Sequence, residues 1–353
     1  MDVMLEAFLP YEGAIIPDDI PKTKETIWIL GKEYKPPHDI KVIRAHIRST
    51  LWFTYRRGFD PIGETTYTSD RGWGCMLRCG QMMLARAYTT YYMGADWIWT
   101  PETQDQTYLK ILHLFEDHFM ERYSVHQIAM MGTQEGKKVG QWFSPNNIAQ
   151  VLKKLSLHEY WTKFVVHVAL HNTVIINEIK HDCKNRQPTE PEPAKHRHSQ
   201  FKPPPRGPWS PLLLIIPLRL GMKNILPHYL ELLKRCFMLE HSMGMLGGTP
   251  NHALYFFGCV GDEVFFFDPH TTQNSARVGD KSTWEQVAAD ETYHCDYAMR
   301  RKLSKMDPSL AVGFLCCTES DFDSLCKQLQ AKKITTGDLP LFQIVDKRPQ
   351  YMV

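Results

Sequence analysis

Cys75 follows the turn Arg71-Gly72-Trp73-Gly74 and opens a segment in which Met76, Cys79, Met83 and Ala87 recur on one face at helical spacing. A cysteine in the first turn of a helix faces amide N–H groups that have no carbonyl within the helix to bond. Those groups and the helix dipole favour the thiolate. Far along the chain, Asp268-Pro269-His270 ends the apolar run Val264 to Phe267. In an extended chain, residues two apart project to one side, so carboxylate and imidazole can enter one cleft. The imidazole would then take the thiol proton and later return it to a leaving amine. The carboxylate would fix the ring tautomer. Each pattern also has a plain structural reading, a buried cysteine for the first and a strand-ending turn for the second.

Rival chemistries find less support. The chain has no HExxH, P-loop, dinucleotide fingerprint or GxSxG. Cys75 and Cys79 lack a second matching pair, Cys316 and Cys317 are adjacent, and three of the 16 histidines (His181, His196, His198) fall in one polar stretch. No metal site and no cofactor are expected. With 41 Lys+Arg against 39 Asp+Glu, the net charge of +2 argues against a nucleic-acid surface. The 43% hydrophobic fraction suits a large core, and no apolar run is long enough to span a membrane. Nine scattered cysteines, and an amino terminus without a basic or long apolar region, point to a reduced, cytoplasmic protein.

The elements that must position these groups follow from periodicity. Helices are expected over 40–56, from Cys75, over 107–121, after the cap Ser144-Pro145, from Pro227 and around Phe322 to Leu329. Strands are expected at Phe164–Leu170, Thr173–Ile179, Leu212–Leu220 and Leu310–Cys316. Ala253–Phe257 and Val264–Asp268 read as a hairpin turning near Gly261-Asp262. Ser282-x-x-Glu285 and Thr318-x-x-Asp321 have capping-box spacing. The mixture lacks a strict βαβ period, so the expected class is α+β. Residues 1–25 read as a flexible tail, 26–340 as the folded domain, 181–208 as an exposed proline-rich basic insertion, and 341–353 as a second tail.

Several separated stretches resemble the autophagins, the autophagy-related cysteine peptidases. They are LWFTYRRGF (51–59), RGWGCMLRCGQMMLARA (71–87), GQWFSPNNIAQVLKKL (140–155), IPLRLGM (216–222), GGTPNHALYFFG (247–258), VFFFDPHTTQ (264–273) and DPSLAVGFLC (307–316). The resemblance spans about residues 26–346 and implies a papain-like fold with a small accessory region. It places the nucleophile on Cys75, the base on His270 and its orienting partner on Asp268. Tyr55 takes an oxyanion-hole role, and Trp142 covers the groove. Gly247, Gly248, Thr249, Pro250, Asn251 and His252 form a regulatory loop that lifts for substrate.

The implied substrate is a ubiquitin-like autophagy modifier, cut after a glycine near its carboxyl end. Both the precursor and the phosphatidylethanolamine conjugate are implied, with membrane contact only through the substrate and the enzyme acting as a monomer. From the bare residues, Tyr55 reads sooner as an interface or core side chain. Phe342 to Val345 reads either as a short modifier-interacting motif or as a final core strand or disordered tail. Two other classes fit the residues: an inactive scaffold for the same modifier, and a different thiol enzyme such as an acyltransferase or deubiquitinase.

Overall fold

The structure is a computed structural model describing residues 20–36, 38–159, 161–186 and 208–350. In chain order the elements begin with β1 (Ile27–Ile29), β2 (Lys32–Tyr34), α1 (Ile40–Ser49), β3 (Tyr55–Arg57), α2 (Cys75–Met93), α3 (Gln106–His113), α4 (Val125–Thr133) and α5 (Pro145–Leu157). There follow β4 (Val165–Val168), β5 (Thr173–Ile175), α6 (Ile176–Asn185), β6 (Leu212–Arg219), α7 (Pro227–Phe237), β7 (Ser242–Thr249), β8 (His252–Val260) and β9 (Glu263–Phe267). The chain ends with β10 (Thr272–Asn274), α8 (Trp284–Glu291), β11 (Met299–Lys302), β12 (Ser309–Cys316), α9 (Glu319–Ala331) and β13 (Gln343–Val345).

The main sheet runs β11-β9-β8-β7-β12-β6-β4, with β1 pairing the far end of β8 and β2 pairing β1. Its pairs are antiparallel except β4 with β6. Side chains alternate across it, as a two-residue period requires. Leu213, Ile215, Tyr255, Phe257, Phe265 and Phe267 join one core, which is completed by α1 to α5. Leu214, Ile216, Leu254, Phe256, Val264 and Phe266 face the other core, which is covered by α6, α7 and α9. Near-continuous apolar strands are the sequence consequence of a sheet buried on both faces.

α2 lies in the middle of the first layer. Every residue from Cys75 to Thr89 is buried, so this helix has no solvent face, and Arg78 and Arg86 must be accommodated inside. Gly80 lets it approach α5, because a Cβ there would sit 2.4 Å from Ile148 Cγ1. α5 starts where Ser144-Pro145 indicated, with a capping box between Ser144 and Asn147.

Some expectations need correcting. The helix expected over 40–56 stops at Ser49, where Thr50 turns extended, and the chain continues into the short strand β3. The helix expected over 107–121 ends at His113, and Phe119 is exposed. The chain becomes helical at Ile176 instead of continuing as strand to Ile179. The buried pair Ile179 and Cys183, four apart, outweighs the β-branched run Thr-Val-Ile-Ile. That helix also takes in 181–185; the remainder of the insertion, 187–207, lies outside the described residues. The capping box of α8 is Thr283 with Gln286, one residue beyond the expected pair.

Residues 1–19 of the amino-terminal tail also lie outside the described residues, while Ile20 is buried. The carboxyl end is not a free tail through 350. Leu341 and Phe342 are buried in the second core, and β13 pairs in parallel with β5. No helix among the described residues is long and apolar enough to cross a membrane.

Candidate active site

Cys75 is the first residue of α2 and is fully buried. The segment before it is folded back on Asp70. The Trp73 and Gly74 amides donate to the Asp70 carbonyl at 3.2 and 2.8 Å. Remote in sequence, Asp268-Pro269-His270 leaves β9 and is fastened to the segment around Tyr55. The Tyr55 amide donates to the Pro269 carbonyl at 2.8 Å, and the Trp52 indole donates to the Asp268 carbonyl at 2.9 Å. β10 then pairs in parallel with β3, Thr272 opposite Tyr55. Short backbone ladders thus bring together residues that are remote in sequence.

The His270 Nδ1–H donates to the Asp268 carboxylate. The same carboxylate accepts the His270 amide at 2.9 Å. A carboxylate can only accept, so Nδ1 carries a proton. Nε2 lies 3.2 Å from the Asn251 carbonyl, also an acceptor, so when this bond is made the ring is an imidazolium. The electrostatics agree. Burial alone would lower the His270 pKa, but the hydrogen bonds and charges of Asp268 and Cys75 raise it to about 10. For Asp268, burial pushes up and the His270 hydrogen bond and charge prevail, leaving its pKa below the usual carboxylate value.

The imidazole is held between two rings. Tyr55 meets it edge-on at 5.3 Å, and His252 stacks on it at 4.6 Å and 20°. His252 is kept neutral, its pKa lowered by burial and then by the His270 charge. The Cys75 thiol reaches both His270 and Tyr55 closely enough to act on the titration of each. Burial first, then Cys75 and Asp70, push the Tyr55 phenol well above its ordinary value, so it stays a donor. Its buried hydroxyl makes no well-formed hydrogen bond among the described residues. A buried O–H without a well-formed partner among the described residues can donate to an oxygen that becomes negative during a reaction.

Gly247, Gly248 and Thr249 end β7, and His252 begins β8 opposite Thr249, leaving Pro250-Asn251 as the tip. Asn251 adopts φ 60° and Gly248 φ +136°, where a Cβ would lie 2.2 Å from the His252 carbonyl oxygen. This hairpin tip lies against His270 through the Asn251 carbonyl. Trp142 is half-buried on the segment entering α5, packed on the first core with its indole N–H unpartnered. Val345 belongs to the strand paired with β5, and Phe342, just before that strand, is 2% exposed and not displayed to a partner.

The sequence reading missed the charges behind the site. Arg78 donates to both oxygens of Asp70, at 2.8 and 3.0 Å, and to Asp117 at 2.8 Å, all three side chains being buried. Arg78 stands one turn after Cys75, and a charge three residues into a buried helix was the available signal.

A thiol, an imidazole and a carboxylate converging where a buried helix begins beside a mixed sheet is the papain-like arrangement, and the protein is a cysteine-type peptidase, a hydrolase. Residues 40–328 match the peptidase C54 catalytic domain. The chain is 43% identical over 337 residues to "Cysteine protease ATG4B" of Xenopus laevis, covering 95% of this chain and 87% of that one. It is 44% identical over 344 residues to "Cysteine protease ATG4A" of Bos taurus (95% and 85%) and 43% identical over 344 to that of Homo sapiens (95% and 85%). The chain belongs to the peptidase C54 family, the autophagins.

Proposed function

We propose that the chain is an endopeptidase that cleaves a ubiquitin-like autophagy modifier after a glycine near its carboxyl end. It trims the precursor and frees the modifier from phosphatidylethanolamine. The observation that carries the reading is the His270 imidazole, bonded to Asp268 and edge-on to Tyr55, on the side of the fold where Cys75 opens the buried helix α2.

Catalysis begins when the hairpin tip lifts and the Asn251 carbonyl leaves Nε2. The Cys75 sulfur attacks the glycyl carbonyl. The oxygen that becomes negative is received by the Tyr55 hydroxyl and the amide at the start of α2. His270 gives its Nε2 proton to the departing amine, leaving a glycyl thioester on Cys75. The now neutral imidazole draws a proton from water, which attacks the thioester and releases the modifier. The peptide nitrogen of a precursor and the ethanolamine nitrogen of a lipid conjugate leave from the same type of amide, so one site serves both.

Glycine specificity follows from a narrow approach under the Trp142 indole, which admits a backbone without a Cβ. Membrane contact then comes through the substrate, and the enzyme works as a monomer in the cytoplasm. The test is the mass of an extended modifier precursor, and of its phosphatidylethanolamine conjugate, after incubation with wild type and C75S. Loss of the extension and of the lipid at the glycine by wild type only is expected. Cleavage by C75S, or an untouched precursor, refutes the reading.

A further inference from the structure

Asp70 is fully buried, and its contacts span the two halves of the site. Its Oδ1 accepts the Arg56 amide at 2.7 Å, the residue next to Tyr55. Its amide donates back to the Arg56 carbonyl at 3.3 Å, and its own carbonyl receives Gly74, the residue before Cys75. The carboxylate is seated tightly: a Cβ on Gly74 would fall 2.3 Å from Asp70 Oδ2. Arg78 grips both carboxylate oxygens from the first turn of α2, and Asp117 and Gln81 hold the other end of the guanidinium at 2.8 and 3.2 Å.

We propose that Asp70, clamped by Arg78, is a positioning residue that holds the Tyr55 hydroxyl and the Cys75 amide in one rigid oxyanion-binding unit. The inference rests on the reading of Tyr55 as an oxyanion donor. The placement is demanding, because a donor helps only within hydrogen-bonding distance of where the charge develops. Asp70 touches no reacting atom and acts through the two residues beside it. Bidentate pairing with Arg78 fixes the carboxylate in place, so Asp70 adds rigidity behind the site, while what remains of its charge helps to keep the Tyr55 phenol protonated as a donor.

The test is a double-mutant cycle between Asp70→Asn and Tyr55→Phe, read as kcat and KM on modifier precursor and as affinity of C75S-background proteins for the modifier. Tyr55→Phe is expected to lower kcat by about 100-fold or more, the range for loss of one oxyanion donor. Asp70→Asn is expected to lower kcat by at least about 10-fold with KM and affinity unchanged, yet to cost less than about threefold in the Tyr55→Phe background. Gly74→Ala displaces the carboxylate without altering any charge and gives the same non-additive pattern, which guards against an unfolded Asp70→Asn. Equal fold-losses of kcat in both backgrounds, for either variant that folds, overturn the positioning role and leave the oxyanion reading intact. A wild-type rate for Tyr55→Phe removes the oxyanion reading and the inference with it.

Discussion

Phe342→Ala separates two roles for the carboxyl-terminal segment by magnitude. Phe342 is 2% exposed in the core formed by α6, α7, α9 and the second face of the sheet. The backbone around it is fully engaged. Leu341 donates to Ile334 at 2.9 Å, Gln343 to Asn172 at 2.8 Å, and Asn177 to Asp346 at 3.1 Å. Truncating a core phenylalanine costs about 3–5 kcal/mol, the lost transfer energy plus the cavity left behind. At about 2 °C per kcal/mol for a domain of this size, the thermal midpoint should fall by roughly 6–10 °C. Arg348→Ala is the control. That side chain makes two 2.8 Å bonds to Glu178, but both partners are substantially exposed, so its loss should leave the midpoint close to wild type. The assay is thermal and urea unfolding by circular dichroism, with modifier affinity measured by calorimetry well below the midpoint. Phe342→Ala should unfold early and, while folded, bind normally. A wild-type midpoint with weakened modifier capture would refute the core assignment and restore a docking motif.

Asp268→Asn should move the alkaline limb of kcat/KM from near pH 10 toward neutrality, because it removes the hydrogen bond and charge that raise His270 to about 10; an unmoved limb contradicts that cause. The same raised pKa stabilises the fold fully below about pH 6.5, the ordinary histidine value, and the contribution is lost as pH rises to about 10. The wild-type midpoint should therefore fall over this window more than that of Asp268→Asn, and parallel curves would count against it. Gly248→Ala strains the hairpin that caps His270, since φ there is +136°; alkylation of Cys75 by iodoacetamide should accelerate, and an unchanged rate would mean that the tip does not guard the thiol.

How far the sequence led is clearest residue by residue. The glycine turn before Cys75, the strand ending at Asp268, and the Gly261-Asp262 hairpin are local signals, and each formed as its chemistry requires. β7 was missed because Ser-Met-Gly-Met-Leu-Gly-Gly-Thr has no β-branched alternation; its neighbours β8 and β12 make it a strand. Asp70 and Asp117 lie outside every stretch that carries the family resemblance, and only the fold brings Asp117 to Arg78. The buried group of Lys281, Asp290, Tyr108 and Trp99 was silent for the same reason. Phe342 lay between two readings because a four-residue apolar pattern fits a core strand as well as a docking motif. The structure buries Phe342 in the second core, next to the strand that pairs with β5.

The central claim is that Cys75, His270 and Asp268 act as one catalytic group on a modifier ending in glycine. A modifier whose terminal glycine carries an electrophilic warhead, followed by peptide mapping of the adduct, tests it most directly. One covalent adduct is expected, on Cys75, absent in C75S and much slower in H270A. An adduct on Cys79 or elsewhere, or labelling of H270A at the wild-type rate, would contradict it.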